Sequence, residues 1–238
     1  RLYEVDMRLR PTGKSGSLVL PLDEFRKYFA GSGSQLWERQ SLTRARSLRG
    51  CPEFATEVTV AVRDAVLGKP WCAQLVEEIR GMRGRMEASA SPRSLKRAAG
   101  GLVDVEFLVQ LLILRSGRDR PEILRPNIWE ALDALEAAEL LPAEQVGLLR
   151  DGYSFLRFVE ARLRIVTDRP LTEIPENRDD LAKLARRAGF EGAVPFGKKL
   201  ATAMTGIRSV YRAVLASVKA GSVSEGHALK LAHASRSE

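Results

Sequence analysis

The chain has 238 residues, enough for one compact domain and part of another, with 45% hydrophobic and 29% charged side chains, a globular balance that excludes wholesale disorder. No apolar run approaches the roughly 18 residues of a membrane-spanning helix, and two cysteines, Cys51 and Cys72, make neither a disulfide framework nor a zinc quartet, so a reduced, cytoplasmic setting without a signal segment is expected. The formal charge is +8 and it is local: residues 1–50 hold ten basic and five acidic side chains, residues 51–100 eight and six, and the remaining 138 are net +1. Such a local excess suits a phosphate-bearing ligand better than a long nucleic-acid track.

The first elements read as strand, turn, strand. Tyr3, Val5, Met7 and Leu9 alternate with Glu4, Asp6, Arg8 and Arg10, the period of a strand with one apolar face. Residues 11–17 are turn-like, and Leu18-Val19-Leu20 is a short second strand, so a β-hairpin is predicted. The period then changes. Leu22, Phe25, Tyr28 and Phe29 mark a helix broken at Gly31-Ser32-Gly33-Ser34; a second helix from Gln35 is expected to run to about Leu48 and to stop at Gly50. Phe54, Val58, Val62 and Val66 stripe a third helix, and Leu75, Ile79, Met82 and Met86 a fourth. Residues 102–114 are apolar nearly all round, which predicts a buried helix, and Asn127 is a good N-cap for a helix bearing Ile128, Leu132 and Leu135. Leu156, Val159, Leu163 and Val166 follow, then a short helix with Leu181 and Leu184 ending at Gly189. A last long helix carries Phe196, Leu200, Ile207, Tyr211, Val214 and Val218. From Gly221 the chain is small and polar, without period. The predicted architecture is mainly α: a short β-hairpin in segment 1–50, a helical bundle over 51–220 and a flexible tail at 221–238.

Three stretches could carry chemistry. In the first, Asp6, Arg8 and Arg10 project from one side of the opening strand. That pattern describes either an ordinary solvent-facing strand or a carboxylate helping to hold Mg²⁺ beside phosphate-binding arginines. Gly13-Lys14-Ser15 resembles the end of a P-loop, but Arg8 stands where that loop needs glycine, and a strand follows in place of a helix. In the second, Trp37-Glu38-Arg39 and Arg44-Ala45-Arg46 form either a solvated basic helix or a ligand-facing one, with Arg39 and Arg46 two turns apart on one face. In the third, Gly100-Gly101 allows a sharp turn into the buried helix, Asp104 lies in its first turn, and Glu106 needs a partner. Arg162, Arg164 or a basic residue of an earlier helix could supply that partner, giving a buried ion pair; a ligand is the alternative. Arg157, Glu160 and Arg164 are spaced for pairing within and between helices. Both histidines, His227 and His233, lie near the end of the chain, so no Ser-His-Asp or Cys/His constellation forms.

Leu2 to Gly13, Leu36 to Arg46 and Gly100 to Phe107, in that order and spacing, resemble the glutamine synthetase adenylyltransferase family, two-headed enzymes that add and remove AMP on a tyrosine of glutamine synthetase. The resemblance runs from Arg1 to about Val218. It implies that residues 1–50 are the end of a polymerase-β-like nucleotidyltransferase domain and that the helices after them are the family's helical domain. Val103-Asp104 resembles the C-terminal, adenylylating half; Tyr153 to Leu163 also resembles the removing half. Asp6 matches the third metal-binding acid, beside a Gly-Ser-Asp-x-Asp pair that this sequence lacks. Arg8, Arg10 and Lys14 would meet phosphates of ATP held with Mg²⁺, and Arg39, Arg44 and Arg46 would face the same ligand. For Glu38, Gly100, Gly101, Asp104 and Glu106 the resemblance implies no defined role. Glutamine synthetase is the implied protein substrate, with the PII signal protein and glutamine as regulators, and neither a membrane nor nucleic acid as partner. The chain alone is expected to transfer no AMP. Two other functions fit the residues: a relative of the PII uridylyltransferase type, or a non-catalytic helical binding or regulatory module, for which the positive charge permits nucleic acid although no recognition helix stands out.

Overall fold

A computed structural model describes residues 10–11, 16–165 and 172–234, with side chains as far as Val218. Among the described residues the protein is helical: nine α-helices, one turn of 3-10 helix at Pro121–Ile123, and a lone antiparallel bridge between Ser94 and Glu173. The chain divides into two compact units, Arg1–Trp71 with Gln110–Ala138 and Cys72–Val109 with Glu139–Glu238. These units are defined by contacts; they are not the sequence segments 1–50, 51–220 and 221–238, whose boundaries they cross.

The first unit contains α1 (Leu22–Ala30), α2 (Leu36–Leu42), α3 (Pro52–Leu67), the second half of α5 (Leu102–Ser116) and α6 (Ile128–Ala137). Pro52 opens α3 at a position where its missing N–H has no intrahelical partner to lose. Asn127 caps α6 as expected, its Oδ1 accepting from the amides of Trp129 and Glu130. Phe29, Val66, Ile128, Leu132 and Leu135 are among its buried residues.

The second unit contains α4 (Ala73–Ala88), the first half of α5, α7 (Ala143–Arg164), α8 (Arg178–Arg187) and α9 (Ala193–Ala234). Helix α9 packs along α7, and also touches α4 and α8. Its approach to α7 is close, since a Cβ added at Gly152 would stand 2.9 Å from the Ile207 side chain. Phe155, Phe190 and Phe196 pack as tilted and edge-on rings with centroids 5.5 to 6.3 Å apart. The α5 residues are buried as their all-round apolar character predicts.

Four expectations change. Leu18-Val19-Leu20 is not a strand; it is a bent segment with Leu18 and Val19 mostly exposed. A three-residue strand without a neighbour among the described residues cannot satisfy its backbone groups in a ladder. Residues 1–9 and 12–15 of the predicted hairpin lie outside the described residues, and Arg10 and Pro11 are bend and turn. Helix α2 stops at Leu42 and not near Leu48: the amides of Thr43, Arg44 and Ala45 bond three residues back, and the Thr43 hydroxyl donates to the Gln40 carbonyl. These tight turns consume the carbonyls that a continuing helix would use. On α4 the buried residues are Val76, Ile79 and Arg83: Ile79 is buried as predicted, whereas the predicted Leu75, Met82 and Met86 are only half-buried. Finally, the backbone of α9 stays helical to Ala234, past Gly221 where the apolar period ends.

Candidate functional site

The Gly100-Gly101 turn is built by sterics. Gly100 has φ +75°, and a Cβ there would sit 1.9 Å from the Met204 carbonyl oxygen. At Gly101 a Cβ would fall within 2.9 Å of three carbonyl oxygens, those of Leu95, Lys96 and Ala98. Both positions exclude side chains, and the left-handed backbone at Gly100 favours glycine besides. The turn aims the first coil of α5 so that Asp104 reaches back, its Oδ2 accepting from the Gly100 amide at 2.7 Å. A carboxylate at a helix N-terminus is also favoured by the helix dipole.

Asp104 is fully buried, and two arginines meet it. Arg83 Nε donates to Oδ1 at 2.5 Å, and Arg208 Nη1 donates to Oδ2 at 3.1 Å. Arg83 is itself 1% exposed and donates through Nη2 to the Ala98 carbonyl at 3.0 Å. Glu87 completes the group, 3.3 Å from Arg83 Nη1 and 3.0 Å from Arg208 Nη2. Two acids and two bases from α4, α5 and α9 therefore balance in formal charge. The Tyr211 ring lies 5.4 Å from the Arg208 guanidinium carbon. Burial, with the Asp104 charge adding to it, pushes the Tyr211 hydroxyl up to about 12 against opposing pulls from Arg83 and Arg208. That hydroxyl makes no hydrogen bond among the described residues. Beside the group opens a cleft of about 470 Å³ lined by Met204, Thr205, Arg208, Ser209 and Arg212 among others.

Glu106 takes another partner. Its Oε1 accepts from the Tyr153 hydroxyl at 3.2 Å. Arg164 and Arg157 both bind Glu160 at 2.7 Å, as their spacing within α7 predicts, while Arg162 lies over the Phe158 ring. Asp104 and Glu106 thus both have protein partners, and the helix dipole, two arginines and a glycine amide account for the aspartate.

In the first unit Glu38 and Arg39 are both buried. Glu38 forms a capping box on α2, its Oε2 accepting from the Gln35 amide at 2.7 Å, and both its oxygens lie 2.9 Å from the Tyr28 hydroxyl. Arg39 Nη2 donates to the Val66 carbonyl at 2.8 Å and to the Lys69 carbonyl at 3.4 Å, at the C-terminal end of α3, where a cation is favoured. Burial, then the nearby Arg39 charge, pushes the Lys69 ammonium below its usual range; Lys69 Nζ also donates to Ser34 Oγ at 2.7 Å. Arg44 and Arg46 are exposed in the turn and loop after α2, so Arg46 no longer shares a helical face with Arg39. Arg10 donates to the Gly16 carbonyl at 3.1 Å. Asp6, Arg8 and Lys14 lie outside the described residues.

Sequence patterning missed Arg83 and Arg208. Arg83 stands four residues after Ile79 and three before Met86, inside a stripe read as wholly apolar, and that position was the available signal. Arg208 meets Asp104 across 104 residues of chain, and nothing local marks it. Among the described residues no group of three or more His, Cys, Asp and Glu side chains is arranged to hold a metal ion, and no helix among them is long and apolar enough to cross a membrane.

Residues 72–215 match the family model described as GlnD PII-uridylyltransferase, and residues 1–60 match the one described as glutamate-ammonia ligase adenylyltransferase. Similar curated proteins carry the name bifunctional glutamine synthetase adenylyltransferase/adenylyl-removing enzyme. One from Pseudomonas syringae pv. tomato is 31% identical over 204 residues, 84% of this chain and 20% of its own length. Those from Pseudomonas putida and Hahella chejuensis are each 31% identical, over 79% and 80% of this chain and 20% of their own lengths. The chain spans about a fifth of the length of the curated relatives it matches.

Proposed function

Because the chain belongs to the glutamine synthetase adenylyltransferase family, with the GlnD PII-uridylyltransferase segment over residues 72–215, we propose that it is part of an enzyme that transfers AMP from ATP to a tyrosine of glutamine synthetase. The observation that carries this is the 31% identity running over 204 residues, 84% of the chain. Within that enzyme the second unit serves as a scaffold, with Glu87, Arg83, Asp104 and Arg208 binding one another across three helices. The chain contributes to the C-terminal, adenylylating half, and works in the cytoplasm with its substrate. Regulation by the PII protein and glutamine belongs to the same proposal.

Magnesium and ATP are requirements of the whole enzyme. Asp6 is this chain's acid for the metal and Arg8, Arg10 and Lys14 its groups for phosphate, while the described residues offer no metal ligand set. When bound, the ion would supply charge neutralisation for the triphosphate. The chain by itself transfers no AMP.

The test uses the full-length polypeptide, ATP labelled at the α-phosphate, and glutamine synthetase. Transfer of label is expected, and Asp6→Asn should reduce it by more than the ~100-fold that outer-shell metal partners alone cost. Undiminished labelling by that variant would remove Asp6 from the site. The match over residues 72–215 favours a second function, uridylyl transfer to PII. Label entering PII from UTP, and none entering glutamine synthetase from ATP, would establish that function and overturn the first.

A further inference from the structure

The stripe Phe54, Val58, Val62 and Val66 follows one line along α3, and the first unit covers only its far end. Val66 is fully buried, Val58 and Val62 are half-buried, and Phe54 is 48% exposed. Phe54 to Val62 spans about 12 Å of helix. Beside this uncovered stretch runs a groove of about 390 Å³ walled by Leu42, Val58, Val62, Pro121, Leu124 and Pro126. Leu48, in the same α2–α3 connection as the groove residue Ser47, is 80% exposed. A contiguous apolar face of this kind, rimmed by polar groups, is the mark of an interaction site.

The rim specifies the partner's charge. Arg46 and Arg63 line the groove and no carboxylate does. The connection between α2 and α3, residues 43–51, holds Arg44, Arg46 and Arg49 and no acid. Arg63 Nε lies 3.5 Å from Asp64 Oδ1, with both side chains more than half exposed. A pair so solvated is weak and readily exchanged for another carboxylate. A second copy of this chain would set one basic rim against another in a two-fold contact. The described residues of this unit present no sheet edge to which an extended peptide could pair, so a helix laid in the groove is the fitting mode.

We propose that this groove docks an acidic amphipathic helix of a partner protein, its apolar side seated on Val58, Val62 and Leu124 and its carboxylates meeting Arg46 and Arg63. Nothing in this depends on which nucleotide the parent enzyme transfers.

Fluorescence anisotropy on the whole 238-residue chain tests it with two labelled synthetic helices. One carries Leu at i, i+3, i+4 and i+7 with Glu on the flanks, and the other has Lys for every Glu. The Glu helix should bind saturably and about fivefold more tightly than its Lys twin, a gap that closes as salt rises. Reversing both rim charges, Arg46→Glu with Arg63→Glu, should invert the preference; these exposed positions leave the fold intact. Val58→Asp should weaken both helices at unchanged helical content by circular dichroism. Equal binding of the two helices, indifference to the rim reversal, or no saturable binding overturns the proposal. So does concentration-dependent dimerisation abolished by the rim reversal, which would make a second copy the occupant.

Discussion

Two buried guanidinium groups, one in each unit, are held by different means. Arg39 in the first unit is 4% exposed, and its described partners are the carbonyls of Val66 and Lys69 at the end of α3. Arg83 in the second unit is 1% exposed and meets the carboxylates of Asp104 and Glu87 together with the Ala98 carbonyl. Both clusters exploit helix ends, a cation where α3 ends and an anion where α5 begins. The first sets backbone carbonyls against its guanidinium, and the second sets against its own two carboxylates, in a group whose formal charges neutralise one another. A buried charge supported by carbonyls can be lost with its desolvation cost, whereas losing one member of a buried ion group strands the others.

That difference sets the order of expected losses in urea unfolding. Asp104→Ala should cost most, about 3–5 kcal/mol, because the buried Arg83 is left with the more exposed Glu87 as its one carboxylate among the described residues. Combining Asp104→Leu with Arg83→Met should recover at least half of that loss; a double variant no better than the single one would show that packing, not charge, holds the three helices. Gly100→Ala comes next, at about 2–4 kcal/mol, from the left-handed backbone and the collision with the Met204 carbonyl. Arg39→Met should cost about 1–3 kcal/mol, the range for carbonyls left without their donor. If it costs as much as Asp104→Ala, the contrast between the two clusters fails.

Tyr211→Phe is the smallest change at neutral pH, within about 0.5 kcal/mol, since the hydroxyl makes no hydrogen bond among the described residues. Its effect emerges in alkali. The folded-state value near 12 exceeds the ordinary value of 10.0, so the stability associated with the protonated hydroxyl is complete below pH 10 and lost as pH rises toward 12. The parent protein should lose roughly 2 kcal/mol across that window beyond what the Phe variant loses. Parallel pH profiles for the two would mean that the phenol is not held neutral by its surroundings.

Local pattern was enough to place most helices. The stripes of α3 and α6, the Asn127 cap and the all-round apolar character of α5 were legible because they depend on residues within a few turns of one another. So was the Arg157–Glu160–Arg164 pairing, which a single helix dictates by its 3.6-residue period. The two glycines before α5 were readable as a sharp turn, although not as a position where the Met204 carbonyl leaves no room for a side chain.

Partner choice was not legible. Asp104 and Glu106 are alike in the sequence as acids on an apolar helix, yet one meets arginines from α4 and α9 and the other a tyrosine hydroxyl from α7. The Phe54 to Val66 stripe has one uniform period, but only packing determines that its last residue is core and its first lies open. Composition and periodicity specify which faces must be covered and which charges need company. What covers them depends on segments a hundred residues away, because burial and ion pairing are properties of distance in space, and only the folded chain sets those distances.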